Sequence, residues 1–188
     1  MDLIDAVRNI FAAEAARDTA KAPQLNRVLT LMQELRPNPD RPEPTQLPGC
    51  RHLSRVLDLG EAGPAAPVAT ALRDLEPTLA WAQNPRYNVE IMGADFMHNY
   101  AWSELGLTGC EALAFGVLLL GPGITYPLTS YPSEGIFLVI GGSPEWKCGD
   151  EPWVCVEAGN IICRPFNGAE GKRPGKEPML ALYAWMYQ

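Results

Sequence analysis

The chain has 188 residues, 47% of them hydrophobic and 20% charged, with a formal net charge of −7. That is apolar material enough for one globular core, and an acidic surface that repels phosphate backbones, so nucleic-acid binding is not expected. No apolar stretch approaches the roughly 18 residues needed to cross a bilayer, and the opening Met1-Asp2-Leu3-Ile4-Asp5 lacks the basic start and apolar core of a secretory leader.

The first third reads as helical. Leu3, Ile4, Val7, Ile10 and Phe11 form one apolar stripe at three-to-four-residue spacing. Pro23 interrupts it, and Leu25, Val28, Leu29, Met32 and Leu35 form a second stripe that ends at Arg36-Pro37. Pro37, Pro39, Pro42, Pro44 and Pro48 make residues 37–48 a stiff, extended connector. A third helix is predicted after Pro64 and Pro67, through Val68, Leu72, Leu75 and Leu79 to Trp81, ending at Asn84-Pro85.

From Tyr100 the texture changes to short apolar runs separated by Gly/Pro turns. Cys110–Leu120 is an apolar run with strand character at Phe115–Leu120, and with Ile136–Ile140, Trp153–Glu157, Ile161–Cys163 and Met179–Met186 it predicts a sandwich or barrel. The expected organisation is a helical extension over residues 1–99 and a β-barrel over residues 100–188. The five cysteines, Cys50, Cys110, Cys148, Cys155 and Cys163, are odd in number and form no CxxC, so reduced thiols in a cytoplasm are the expectation.

Three segments of the second half carry a resemblance. The first is Tyr126-Pro127-Leu128-Thr129-Ser130-Tyr131-Pro132-Ser133-Glu134, followed by Ile136-Phe137-Leu138-Val139-Ile140-Gly141-Gly142. The second runs from Glu157-Ala158-Gly159 to Cys163-Arg164-Pro165, and the third from Glu177-Pro178 to Trp185. Together they resemble a cupin. With Tyr100–Glu104, Trp146 and Trp153 they resemble more narrowly the cupin-type dimethylsulfoniopropionate (DMSP) lyases, those of the DddQ group above all, over roughly residues 95–188.

That resemblance implies a fold that is mainly β, a single double-stranded β-helix or jelly-roll barrel with an α-helical N-terminal extension. It implies β-elimination of DMSP to dimethyl sulfide and acrylate. A divalent metal (Zn, Fe or Mn) would hold the substrate carboxylate, a tyrosine would act as base, and the protein would be a dimer. Tyr131 falls at the family's base. Glu134 falls at its carboxylate ligand. Thr125, Thr129 and Cys163 fall where the family carries metal-binding histidines, as does Glu170 just before the last strand. The chain has only two histidines, His52 and His98, both outside these segments. Aromatic faces, with Tyr126, Trp102 and Tyr183 as the expected substrate-binding residues, would hold the sulfonium by cation–π attraction.

The same residues admit plainer readings. Tyr131 can be a hydrogen-bonded barrel-lining tyrosine, Cys163 a small buried hydrophobe, and His98 a structural or surface residue. Lys172, Arg173 and Lys176 either attract an anionic substrate or form a solvated loop, the reading favoured by Pro174 and Gly175 among them. Three functions follow: a DMSP lyase; a non-catalytic cupin that has lost its metal and only binds a small ligand or partner; and an enzyme using Cys163 as nucleophile, which lacks a nearby histidine to activate the thiol.

Overall fold

A computed structural model describes residues 2–188. Six α-helices precede the main strands: α1 (Leu3–Arg17), α2 (Ala22–Leu31), α3 (Leu53–Glu61), α4 (Ala66–Leu75), α5 (Val89–Met92) and α6 (Ala94–Asn99). The strands are β1 (Arg36–Pro37), β2 (Tyr100–Glu104), β3 (Leu107–Thr108), β4 (Leu113–Leu120), β5 (Tyr126–Ser130), β6 (Glu134–Gly141), β7 (Glu145–Cys148), β8 (Val154–Cys155), β9 (Ile161–Arg164), β10 (Ala169–Arg173) and β11 (Met179–Met186).

Two sheets form the barrel. The larger has the order β2-β4-β11-β6-β9 and the smaller β5-β10-β7-β8; β1 and β3 pair separately. All strand pairs are antiparallel, and β11 is paired along its whole length with β4 and from Leu180 to Met186 with β6. The large sheet is buried on both faces, which explains why β4, β6 and β11 read as continuous apolar runs rather than alternating ones.

The pleat sends alternate residues to two different cores. Val117, Leu119, Ile136, Leu138, Leu180 and Leu182 join Val7, Phe11, Leu25, Val56, Leu57 and Leu72 of the helices. Leu118, Leu120, Phe137, Val139, Ala181 and Tyr183 point the other way and meet Tyr126 and Trp146 of the small sheet. The molecule is therefore layered: helices, large sheet, small sheet. No helix among the described residues is long and apolar enough to cross a membrane.

The first helix is held at its start by Asp2, whose carboxylate accepts from the Ile4 amide at 3.4 Å. At its other end, the Asp18 carboxylate accepts from the amides of Ala20 and Lys21, which turns the chain into α2. The helix expected to run to Trp81 stops at Leu75 and tightens into one 3₁₀ turn over Glu76–Thr78. Pro77 has no amide to donate, and the following segment is drawn instead into bridges that join Ala80 to Thr45 and Ala82 to Trp102. Helix α3 was not expected; its Leu53, Val56, Leu57 and Gly60 are buried between α4 and the large sheet.

A larger correction concerns Lys172, Arg173 and Lys176. Ala169–Arg173 is not a solvated loop but strand β10, paired on one side with β5 and on the other with β7. Lys172 is 2% exposed. Lys176 does lie outside the strand and is exposed.

Gly60 gives a decisive test of the helix–sheet contact. A Cβ there would sit 2.8 Å from the Ala69 Cβ and 2.9 Å from the Ile140 carbonyl oxygen. Helix propensity alone makes Gly60→Ala stabilising by about 0.5–1 kcal/mol. Overpacking is expected to win, with a net loss of about 1–3 kcal/mol in urea unfolding at unchanged m-value.

Candidate active site

Between the two sheets lies a pocket of about 230 Å³. Its walls are mostly aromatic. Tyr100 and Trp102 come from β2, Tyr126 from β5, Phe137 from β6, and Tyr183 and Trp185 from β11. Tyr131, in the short link between β5 and β6, completes this wall, while Glu104 and Asn84 border the pocket from the more solvent-exposed side.

Tyr131 stacks on Trp185 with ring centroids 4.9 Å apart and planes 26° apart, and Trp185 in turn lies 4.8 Å from Tyr183. The Tyr131 hydroxyl is 3.0 Å from that of Tyr126, and Tyr87 donates to the Tyr126 oxygen at 3.3 Å. This hydroxyl chain fixes where the Tyr131 oxygen sits. Burial raises the Tyr131 pKa; the Tyr126 hydrogen bond opposes that shift, and the nearby Tyr87 and Glu170 reinforce it. Tyr183 and Tyr126 are likewise pushed up by burial, so both stay neutral donors.

The small sheet places two rows of side chains on its inner face. Tyr126, Lys172 and Trp146 are register partners across β5, β10 and β7, and Thr129, Glu170 and Cys148 form the next row. The Lys172 ammonium stands 3.0 Å from Glu170 Oε1 and 4.6 to 5.0 Å from the ring centroids of Phe137, Trp146 and Tyr126. Arg164 is fully buried, with its Nε 3.5 Å from the same carboxylate oxygen. Arg164 Nη1 donates to the carbonyls of Tyr131, Ser133, Pro165 and Gly168, and Nη2 to the Ser133 hydroxyl. Neither Glu170 oxygen receives a well-aligned hydrogen bond.

Several residues singled out in the sequence lie elsewhere. The Glu134 carboxylate turns to α2, with Arg27 at 2.9 Å and Gln24 at 3.4 Å. Cys163 faces the helical layer, because its strand neighbours Ile162 and Arg164 are the ones directed into the barrel. Burial pushes the Cys163 thiol up to about 11. Thr125 is exposed in the turn before β5; Thr129, although it is the register partner of Glu170, does not line the pocket, and its hydroxyl donates to the carbonyl of Pro127 at 3.0 Å. His52 sits 2.8 Å from Asn99 Oδ1, and His98 is exposed; neither lines the pocket.

The structure thus brings Tyr131, Tyr126, Trp102 and Tyr183 together and leaves Glu134, Thr125 and Cys163 outside. Sequence reasoning missed Lys172 and Arg164 as interior residues. The signal for the former was present: Glu170 and Lys172 are two apart, so on a strand they share a face.

A resident divalent ion does not fit this donor set. The interior carboxylate already faces two cations, and Cys148 is a thiol whose pKa burial pushes up. No group of three or more His, Cys, Asp or Glu among the described residues could hold a metal. An ammonium beside a divalent cation adds repulsion, and one carboxylate with one neutral thiol makes a weak site for Zn or Fe.

A two-sheet barrel with an aromatic pocket between its sheets, covered by N-terminal helices, is a single-cupin architecture. The model of the dimethylsulfoniopropionate lyase family matches residues 20–181, and the chain belongs to that family. Over 162 residues it is 30% identical to DddL of Cereibacter sphaeroides, named for dimethylsulfoniopropionate lyase, covering 84% of this chain and 67% of that one. Over 170 residues it is 25% identical to the dimethylsulfoniopropionate lyase DddQ of Ruegeria pomeroyi, covering 88% of this chain and 82% of that one. The crystal structure of that DddQ superposes with a TM-score of 0.69 at 25% identity, over 97% of this chain and 91% of its own. A structure described with the DMSP lyases RdDddP and RnDddQII gives 0.75 at 26% identity, over 95% and 93%.

The raised thiol pKa has a direct consequence. At neutral pH a group titrating near 11 is a thiolate about one time in ten thousand. Cys163 is expected to label far more slowly with a thiol reagent at pH 7 than exposed Cys155, and its labelling should rise with pH towards 11, as read by mass spectrometry.

Proposed function

We propose that the protein is a DMSP lyase in which Tyr131 is the base. The carrying observation is the placement of the Tyr131 hydroxyl inside the aromatic pocket, at the end of the Tyr87–Tyr126 hydroxyl chain, in a chain belonging to this family. The reaction removes the proton on the carbon beside the carboxylate. The C–H electron pair becomes the new C=C bond, and the adjacent C–S bond breaks. Sulfur takes that pair and leaves as neutral dimethyl sulfide, with acrylate as the other product.

Each part of the pocket supports a step. The Tyr126 hydroxyl, 3.0 Å from Tyr131, donates to the phenolate and steadies it. Trp102, Trp185 and Tyr183 offer faces for the sulfonium, and Glu104 adds negative charge at the rim. The bound sulfonium brings a positive charge next to Tyr131, which lowers the cost of forming the phenolate. Substrate also displaces water from an already apolar pocket, which strengthens these charge interactions. The five free cysteines fit a reducing cytoplasm.

The test is headspace dimethyl sulfide from purified protein given DMSP. Tyr131→Phe keeps the stack on Trp185 but lacks the hydroxyl, and is expected to lose at least about 100-fold in kcat. No release from folded wild-type protein would sink the reading and leave a cupin that only binds.

The pH profile carries the sign of the Tyr131 shift. Burial raises its pKa, so the base form grows with alkalinity. The value of kcat/KM is expected to climb between pH 7 and 9, approaching about tenfold per unit. A plateau beginning below pH 7 would exclude the phenol as base.

A further inference from the structure

We propose that Lys172 is the residue that takes the substrate's carboxylate, as a fixed protein cation standing where a metal would otherwise be needed. The inference rests on the lyase reading for the identity of the substrate, but not for the presence of the site.

Three observations carry it. The first is charge. The inner face of the barrel gathers two cations, Lys172 and Arg164, around one carboxylate, Glu170. The neighbouring Cys148 thiol, with its pKa raised by burial, adds no charge of its own. With Lys172 protonated, one positive charge is left over in a water-poor space; burial pushes the Lys172 pKa down, the adjacent Glu170 opposes that shift, and a bound monoanion would oppose it further and balance the charge.

The second is hydrogen bonding. Arg164 is committed to four backbone carbonyls and a serine hydroxyl. Lys172 has three protons to donate and one oxygen, Glu170 Oε1, within ion-pair distance. Its remaining surroundings are the faces of Phe137, Trp146 and Tyr126, which attract the cation but accept no strong hydrogen bond. Lys172 also borders the pocket, so a ligand oxygen can reach it.

The third is polarity along the pocket. Lys172 forms its buried end, 2% exposed, and Glu104 borders it from the exposed rim with Trp102. A molecule with a carboxylate at one end and an onium group at the other matches that order of charges. An ammonium bound to the carboxylate also offsets the negative charge that develops there as the α-proton leaves. Glu170 is then a positioning residue: it holds the ammonium over the pocket and stays out of the chemistry.

The experiment uses the full-length protein treated with EDTA and dialysed. Binding of acrylate is measured by calorimetry, and dimethyl sulfide release from DMSP is measured in parallel. Lys172→Met leaves Glu170 short of a partner and could unfold the barrel, so the double variant Lys172→Met/Glu170→Gln, which removes both charges, is measured beside it. Lys172→Arg serves as the conservative control. Acrylate binding is expected to survive EDTA, to weaken at least about 30-fold in the double variant, and to recover in part in Lys172→Arg.

Binding or release abolished by EDTA and restored by a divalent ion would overturn the proposal. So would unchanged acrylate affinity in the folded double variant. Either result alongside metal-dependent dimethyl sulfide release leaves the lyase reading standing and Lys172 out of it. Lys172-dependent acrylate binding without dimethyl sulfide release removes the lyase reading and keeps the carboxylate site.

Discussion

The whole architecture follows from a sheet that must be covered on both sides. Apart from Glu134 at the start of β6, the strands β4, β6 and β11 carry no charged residue, so water can touch neither surface without cost. Helices α1 to α4 close one face, and the small sheet closes the other. Once those layers are in place, the space between the sheets has fixed walls. The rings of Tyr183 and Trp185 are held by a strand hydrogen-bonded along both edges, so they form a rigid surface against which Tyr131 stacks.

Rigidity on one side makes polar burial tolerable on the other. The small sheet carries Glu170, Lys172 and, from the neighbouring strand, Cys148 on its inner face. Each ionised group placed there costs several kcal/mol in lost hydration. That cost is offset where charges neutralise one another and where rings supply a favourable face, as around Lys172. The remaining imbalance is concentrated beside the pocket, where a ligand can answer it.

The sequence made some of this legible and hid the rest for physical reasons. The apolar run Met179–Met186 coincides with β11, because near-complete burial leaves no charged residue to blur it. Strand β10, Ala-Glu-Gly-Lys-Arg, looks like a surface loop because its inward residues are charged; the spacing of Glu170 and Lys172 puts them on one face, and the partners from β5 and β7 show that this face points inward. The family resemblance puts Cys163 at a ligand position inside the barrel, yet on this strand its neighbour Arg164 is the one that faces in and Cys163 packs against the helical layer; a single step of register moves a side chain to the opposite layer. Glu134 begins a strand whose outer face is covered by α2, and the partner that draws it there, Arg27, is 107 residues away in the chain. Tyr126 and Tyr131 are singled out by the family resemblance of their segment, whereas Tyr87 comes from the segment before α5, where nothing local marks it.

Strand β5 lies at the edge of the small sheet and has a ladder of hydrogen bonds on one side only. It bears Tyr126, exposes Leu128 to solvent and leads straight into Tyr131. The opposite wall, on β11, is pinned on both edges. Lifting β5 therefore breaks one ladder, while moving β11 would dismantle the large sheet. The topology thus gives the pocket a soft side and a hard side, and the proposed base sits on the soft one.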